Sequence, residues 1–509
     1  MGFTDLRRHL MSFVARGNHE YTLLPGNTAR GHMHKRTSRW VDYNVCGVRL
    51  TLCALLSIIL IAFSTSFMGS ISTQKCTGYK HDRHCRKEVS HSWGQYSSSY
   101  SVPSKIPASI PGHCEVTFAQ LLSRHGARDP TEHKSAEYGA VIDRIHDSVT
   151  DYKGELKFLQ DYQYTLGADQ LTHYGEQQMV NSGVKFYERY QHLASTNLPF
   201  IRASGQERVI ASAVNWTQGF HQARRVDKHS HSPDPYPYEI LIIPEEDGVN
   251  NTLSPNLCPA FEESRHESHN EQDTWTKLFL PPLAERLNEN LPGANLTDDE
   301  TIYMMDLCPF NTVADDKGKL SKFCNLFTVD EWRDYDYYQS LGKWYSFGNG
   351  SPLGPTQGVG FVNELLARLT GQPVDDHTTT NSTLDSSNST FPLDRIMYAD
   401  FSHDNDMMMI YAALGLYNLT EPLSGTERTS PQEAKGFSAS WAVPFAARLY
   451  VEKLSCRGEE EEYVRILVND RVIPLQGCGA DDLGRCTLSK FVESQSFARN
   501  GGHWDECFA

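Results

Sequence analysis

The run Arg124-His125-Gly126-Ala127-Arg128-Asp129-Pro130 sets an imidazole between two guanidiniums and beside a glycine. On a solvated surface such a run is an ordinary charged cluster. At the end of a buried strand it becomes a reagent, because two guanidiniums can hold phosphate oxygens bidentately while the imidazole attacks phosphorus. Gly126 has no Cβ, so the backbone there can come close to an anion. The neighbouring positive charge also disfavours protonation of His125, which keeps the ring nucleophilic at mildly acidic pH.

The flanking chain decides between the two settings. Glu115 to Leu122 is apolar and β-rich and leads straight into Ser123-Arg124-His125-Gly126. It predicts a buried strand carrying the Arg-His-Gly at its C-terminal end, where open α/β sheets bind their ligands. Further strands are expected at Leu198–Ser204, Glu239–Ile243, Arg395–Ser402 and Val464–Val468, the last before an Asn469-Asp470 turn. Helices are expected from a Thr172 cap to Leu193, over Glu207–Phe220, and over Asp406–Leu416 directly after His403-Asp404. This alternation favours an α/β sheet covered on both faces, with the helix-leaning stretch from about 259 to 345 as an inserted cap. Gly371–Thr390 is polar and rich in Ser, Thr and Asn, and reads as a surface loop.

The chain has 509 residues, 39% hydrophobic and 22% charged, and is long enough for one large domain with an insertion or for two or three smaller ones. Its net charge is −16, but the first 49 residues carry +5, which leaves −21 for the rest. An acidic body of this kind excludes nucleic acid as a partner and requires any anionic substrate to meet a local basic pocket. Residues 50–69 contain no charge and match the length of a membrane-spanning helix; the basic residues before them predict a cytosolic N-terminus, a type II signal anchor and a body outside or in a lumen. A removable signal, giving a secreted protein, is the alternative. Ten of the twelve cysteines follow this segment, an even number suited to disulfides in an oxidising compartment. Sequons at Asn215, Asn250, Asn295, Asn349, Asn381, Asn388 and Asn418 lie on the same side. Residues 70–113, Ser-, Pro- and Tyr-rich from 87 onward, read as a stalk or a surface-hugging extension, with the catalytic domain running from 114 to 509.

The RHGxRxP pattern at Arg124–Pro130 is the signature of the histidine acid phosphatases, and the resemblance extends from Cys76 to Ala509. Stretches such as TFAQLLSRHGAR, PLGPTQGVG, YADFSHDN, NDRVIPLQGC and GGHWDECFA resemble those of filamentous-fungal phytases, which remove phosphates from inositol hexakisphosphate. The resemblance implies a mixed β-sheet flanked by helices with a smaller all-α cap. It implies His125 as nucleophile, Arg124, Arg128, Arg202 and His403 as phosphate ligands, and Asp404 as proton donor to the leaving oxygen. It also implies the disulfides Cys76–Cys85, Cys114–Cys456, Cys258–Cys507, Cys308–Cys324 and Cys478–Cys486. The scheme requires no metal or cofactor, and the protein is expected to be monomeric. Because the acid must start protonated, an acidic optimum is expected.

Substrate choice is where the pattern is departed from. Lys134 and Lys343 fall at lysine positions of the family's pocket rim, and Glu271 and Asp306 at acidic ones, but Glu137 and Gly342 stand where lysines are usual and Asp129 fills the variable motif position. Fewer cations beside a polyanion weaken hexakisphosphate binding more than monophosphate binding. Broad acid phosphatase activity is therefore one alternative. Two others are a phosphate-transferring mutase, against which Arg128, Pro130 and His403-Asp404 argue, and a non-enzymatic adhesion or scaffold ectodomain, which predicts eroded catalytic positions where none is eroded.

Overall fold

The computed structural model describes residues 83–230, 235–264 and 270–509, which belong to one compact unit. The expected cytosolic tail, membrane anchor and Cys76–Cys85 bridge lie outside the described residues, and among these no helix is long and apolar enough to cross a membrane.

The strands are β1 (Cys114–Arg124), β2 (Phe200–Ser204), β3 (Leu241–Ile243), β4 (Met397–Ser402), β5 (Arg448–Cys456), β6 (Tyr463–Val468), β7 (Arg471–Val472) and β8 (Arg485–Thr487). They form one mixed sheet in the order β3-β2-β4-β1-β5-β6-β7, with β8 against β6. β3, β2, β4 and β1 run parallel, while β5 closes antiparallel on the other side of β1. The principal helices are α1 (Glu132–Ser148), α2 (His173–Arg189), α3 (Glu207–Val226), α4 (Asn270–Asn290), α5 (Asp298–Ala314), α6 (Val329–Phe347), α7 (Val359–Thr370) and α8 (Asp404–Ala413). The stretch expected to be a helical cap is thus helical, through α4, α5 and α6. β5, β7 and β8 are strands that the sequence reading did not name.

Both faces of the sheet are covered. On one face Phe186 of α2 and Trp216 and Phe220 of α3 pack with Ala119, Leu121, Ala203, Ala399 and Phe401 into a single core. Alternation sends Gln120, Tyr398 and Asp400 to the other face, where Arg368 of α7 meets Asp400. The Thr172 hydroxyl accepts from Gly175 N at 3.1 Å, so the expected cap does start α2. α5 and α6 open with full capping boxes, Thr297 with Glu300 and Thr328 with Glu331.

Residues 83–113 pack against the body, as the surface-hugging alternative expects and a free stalk does not. Val89, Trp93 and Val102 are buried, and the Val102 N–H donates to the Asn469 carbonyl at 2.9 Å. Scattered apolar residues without periodicity left the choice between the two open. Disulfides join Cys114 to Cys456, Cys258 to Cys507, Cys308 to Cys324 and Cys478 to Cys486. The first bridges residues opposite each other in the β1–β5 ladder.

α2 and α3 approach so closely that glycine is required at their crossing. A Cβ on Gly183 would lie 2.0 Å from the Trp216 carbonyl oxygen, and one on Gly219 1.9 Å from that of Val180. Gly183→Ala should therefore destabilise the fold by roughly 1–3 kcal/mol, as forced overpacking does, and this is read as a drop in the denaturation midpoint.

Candidate active site

β1 ends between β4 and the 445–447 segment. The His125 N–H donates to the Ser402 carbonyl at 3.2 Å, and the His125 carbonyl accepts from Ala446 N at 2.9 Å. The next two residues press against α2 and α3: Gly126 N donates to Ser212 Oγ at 3.0 Å and Ala127 N to Gln178 Oε1 at 2.9 Å. A Cβ on Gly126 would stand 2.4 Å from the Gly175 carbonyl oxygen, so only glycine fits.

The His125 ring is buried, with Nδ1 2.8 Å from its neighbour's carbonyl oxygen, Gly126 O. A carbonyl only accepts, so Nδ1 carries the hydrogen and Nε2 keeps its lone pair. Burial first, then the charges of Arg124, Arg208, Arg128 and His403, hold this imidazole well below its usual pKa and therefore neutral.

A polar cleft of about 380 Å³ opens beside it, lined by Arg128, Arg208, Glu245, Lys343, His403, Asp404 and Asp406 among others. A larger cavity of about 690 Å³, lined by Lys87, Tyr100, Asp336, Arg428 and Trp441, holds none of these groups. Arg124 is fully buried next to the cleft. Its guanidinium donates to the carbonyls of Val443 (2.8 Å) and Gln95, sits 4.6 Å over the Phe445 ring and lies 3.5 Å from Asp404 Oδ2. Burial pushes its pKa down to about 10. Arg208 is also pushed down to about 10, by burial and then by Arg128, and it pairs with Asp169 at 3.1 Å. The Nε atoms of Arg124, Arg128 and Arg208 are buried without a hydrogen-bond partner among the described residues. Three guanidiniums with spare donors beside a neutral imidazole can hold an anion.

His403 stands at the N-cap position of α8 without a side-chain cap bond, and its Nε2 lies 2.9 Å from Glu245 Oε1. Asp404, the first residue of α8, accepts from Lys343 Nζ at 2.6 Å. Burial alone would raise the Asp404 carboxyl, but Arg124 and Lys343 hold it well below the usual carboxylate range.

Several expectations need correction. Arg202 does not line the cleft. In the β2–β4 register it stands opposite Asp400, and it is spent inside the core on Asp400 (2.9 Å) and Glu364 (2.6 Å). Arg208, six residues on in the first turn of α3, occupies the cleft instead. The start of α3 was legible as a helix N-terminus at the ligand-binding end of a strand, which was the signal available for Arg208. Lys343 is not a rim lysine either; it is buried in the cleft wall against Asp404 and Asn405. Asp306 is buried outside the cleft lining, accepting from Tyr138 (2.6 Å) and Tyr335, and burial pushes its carboxyl up to about 6. Glu271 accepts from Gly425 N at 3.0 Å and does not line the cleft. Lys134 pairs with Glu137 at 2.8 Å and reaches Tyr303. Glu245 and Asp406 are cleft carboxyls that sequence reasoning missed.

A family model described as the histidine phosphatase superfamily, branch 2, matches residues 115–469. Phytase A of Aspergillus oryzae is 50% identical over 464 residues, covering 90% of this chain and 99% of the relative. Phytase A of Emericella nidulans is 53% identical over 429 residues, covering 83% and 92%. Among solved structures, the phytase from D. castellii shares the fold with a TM-score of 0.67 at 24% identity, over 82% of this chain and 87% of that one.

The two arginines should separate cleanly on substitution. Arg208→Ala should weaken inorganic phosphate binding by at least about tenfold, a charge-assisted contact of roughly 1.5–3 kcal/mol, with little change in melting. Arg202→Ala should instead cost about 3–5 kcal/mol of stability by stranding Asp400 and Glu364. Calorimetry with phosphate and denaturant titration check the pair.

Proposed function

The chain belongs to the histidine phosphatase superfamily, branch 2, and from that premise we propose a phytase-type acid phosphatase that hydrolyses phosphate monoesters, inositol hexakisphosphate foremost, through a phosphohistidine on His125. The observation that carries this reading is a buried, neutral His125 with its Nε2 lone pair free beside Arg124, Arg128 and Arg208.

In the first step Nε2 attacks phosphorus and the ester P–O bond breaks. The three guanidiniums and His403 spread the charge on the equatorial oxygens, and Asp404 gives its proton to the departing alkoxide. In the second step the Asp404 carboxylate takes a proton from water, which attacks phosphorus, breaks the P–N bond and releases phosphate with His125 neutral again. Asp404 can hold a proton in the first step although Arg124 and Lys343 keep it ionised otherwise. A bound phosphate takes up the Arg124 charge and sets a like charge beside the carboxyl, and both changes raise its pKa.

The reading of inositol hexakisphosphate rests on the relatives named Phytase A. Lys343 lies in the cleft, but Lys134 is paired with Glu137, and this favours a second reading of broad acid phosphatase activity with weak phytase activity. The four disulfides suit an oxidising compartment, and the sequon residues Asn295, Asn388 and Asn418 are exposed. We assign the body to the luminal or extracellular side, with residues 50–69 as a retained anchor or a removed signal.

His125→Ala should lower phosphate release by at least about 10³-fold. A higher kcat/KM on inositol hexakisphosphate than on 4-nitrophenyl phosphate supports the phytase, and the reverse supports the broad phosphatase. Activity should fall as pH rises and Asp404 loses its proton in the complex. Lys343→Met removes a cation that holds this carboxyl down, so its pKa rises and the alkaline limb of kcat should move up by about one pH unit.

A further inference from the structure

Of the three carboxyls that line the cleft, one neither takes part in the reaction nor has a basic partner among the described residues. α8 opens into the cleft with Asp404, Asn405 and Asp406. Asp404 is engaged by Arg124 and Lys343, Asn405 by Lys343, and Glu245 by His403. Asp406 is buried at 7% exposure and forms no ion pair with any of the cleft cations. Its ionisable neighbours are Glu245 from the segment after β3, Asp404 on its own helix, and Lys343 from α6, with Ser254 as a hydroxyl partner. The short helix Gly354–Gln357 packed on α8 has no ionisable residue. In α7, Glu364 and Arg368 are spent on Arg202 and Asp400, and at the end of β1 Arg124 is turned to Asp404.

We propose that Asp406 sets the upper pH limit of anion uptake: neutral, it is a tolerated part of the cleft wall, and ionised it adds an uncompensated negative charge that repels the incoming phosphate. Burial, then Glu245 and Asp404, push this carboxyl well above the usual range against the opposing pull of Lys343 and Ser254. The acid form therefore holds at acidic pH, and affinity is lost as pH rises and the proton leaves. Asp406 thus acts on specificity, favouring anions under acidic conditions, without touching the reacting atoms. The inference rests on the cleft being the phosphate site of the proposed hydrolase.

The test uses sulfate, a dianion throughout the range, titrated calorimetrically into the full-length protein from mildly acidic to mildly alkaline pH. Groups common to both proteins cancel when wild type is compared with Asp406→Asn. Over this span the wild type should lose about tenfold more affinity than the variant, the scale of one pKa unit of coupling. Asp406→Ser removes the same charge and should flatten the curve equally, which keeps the test decisive if the asparagine variant melts. Parallel curves, or no sulfate binding at any pH, would overturn the proposal. The predicted difference without His125-dependent hydrolysis sinks the catalytic reading and leaves this one standing. Hydrolysis with parallel curves does the reverse.

Discussion

Arg124, Arg128, Arg208 and Lys343 repel one another across a largely buried cleft, and the architecture around them answers that repulsion. Two of the guanidiniums are pushed down to about 10, a measure of how strongly burial and like charge disfavour their protonated forms. Asp404 between Arg124 and Lys343, Asp169 beside Arg208, and the carbonyls of Gln95 and Val443 offset part of the cost. The remaining donors point to an anion. A phosphate ester completes the neutralisation, so binding and chemistry draw on one electrostatic arrangement. That arrangement also keeps His125 neutral, since a second proton on its ring would add to the same repulsion.

The fold supplies this arrangement with rigid parts. β1 lies between β4 and β5 and is tied to β5 by Cys114–Cys456, so His125 projects from a central strand. Gly183 and Gly219 let α2 and α3 touch backbone to backbone, and Gly126 and Gly175 let the motif loop lie against α2. Together these contacts fix the first turn of α3, and with it Arg208, relative to the motif. The 94–96 turn closes the far side, where the Gln95 carbonyl accepts from Arg124. The segment before the catalytic strand is thus part of the site.

Local pattern was enough for β1, the Arg-His-Gly at its end, the Thr172 cap, the helical 259–345 region and the strand before His403. Each is encoded within a dozen or so neighbouring residues. What was not legible depended on register between distant strands. Arg202 looks available in the sequence, yet it pairs across β2 and β4 with Asp400, and an arginine facing a buried aspartate is no longer free for a ligand. Arg208 was passed over because its helix start was read as structure only. Lys343 and Asp306 occupy helix positions whose depth is set by α6 and α5 packing, so whether they sit at the rim or in the interior could not be read from spacing. β5, which closes antiparallel on β1, was not named although Leu449, Tyr450 and Val451 give it local strand character.

The central claim is that His125 carries the phosphate between two chemical steps. The most direct measurement is rapid acid-free quenching of the full-length enzyme during turnover of a phosphorus-labelled ester, followed by mapping of the labelled peptide. The account predicts label on His125 as an alkali-stable, acid-labile phosphoramidate that decays to inorganic phosphate. Label on a hydroxyl side chain, or turnover with inverted stereochemistry at phosphorus and no labelled protein, would contradict it.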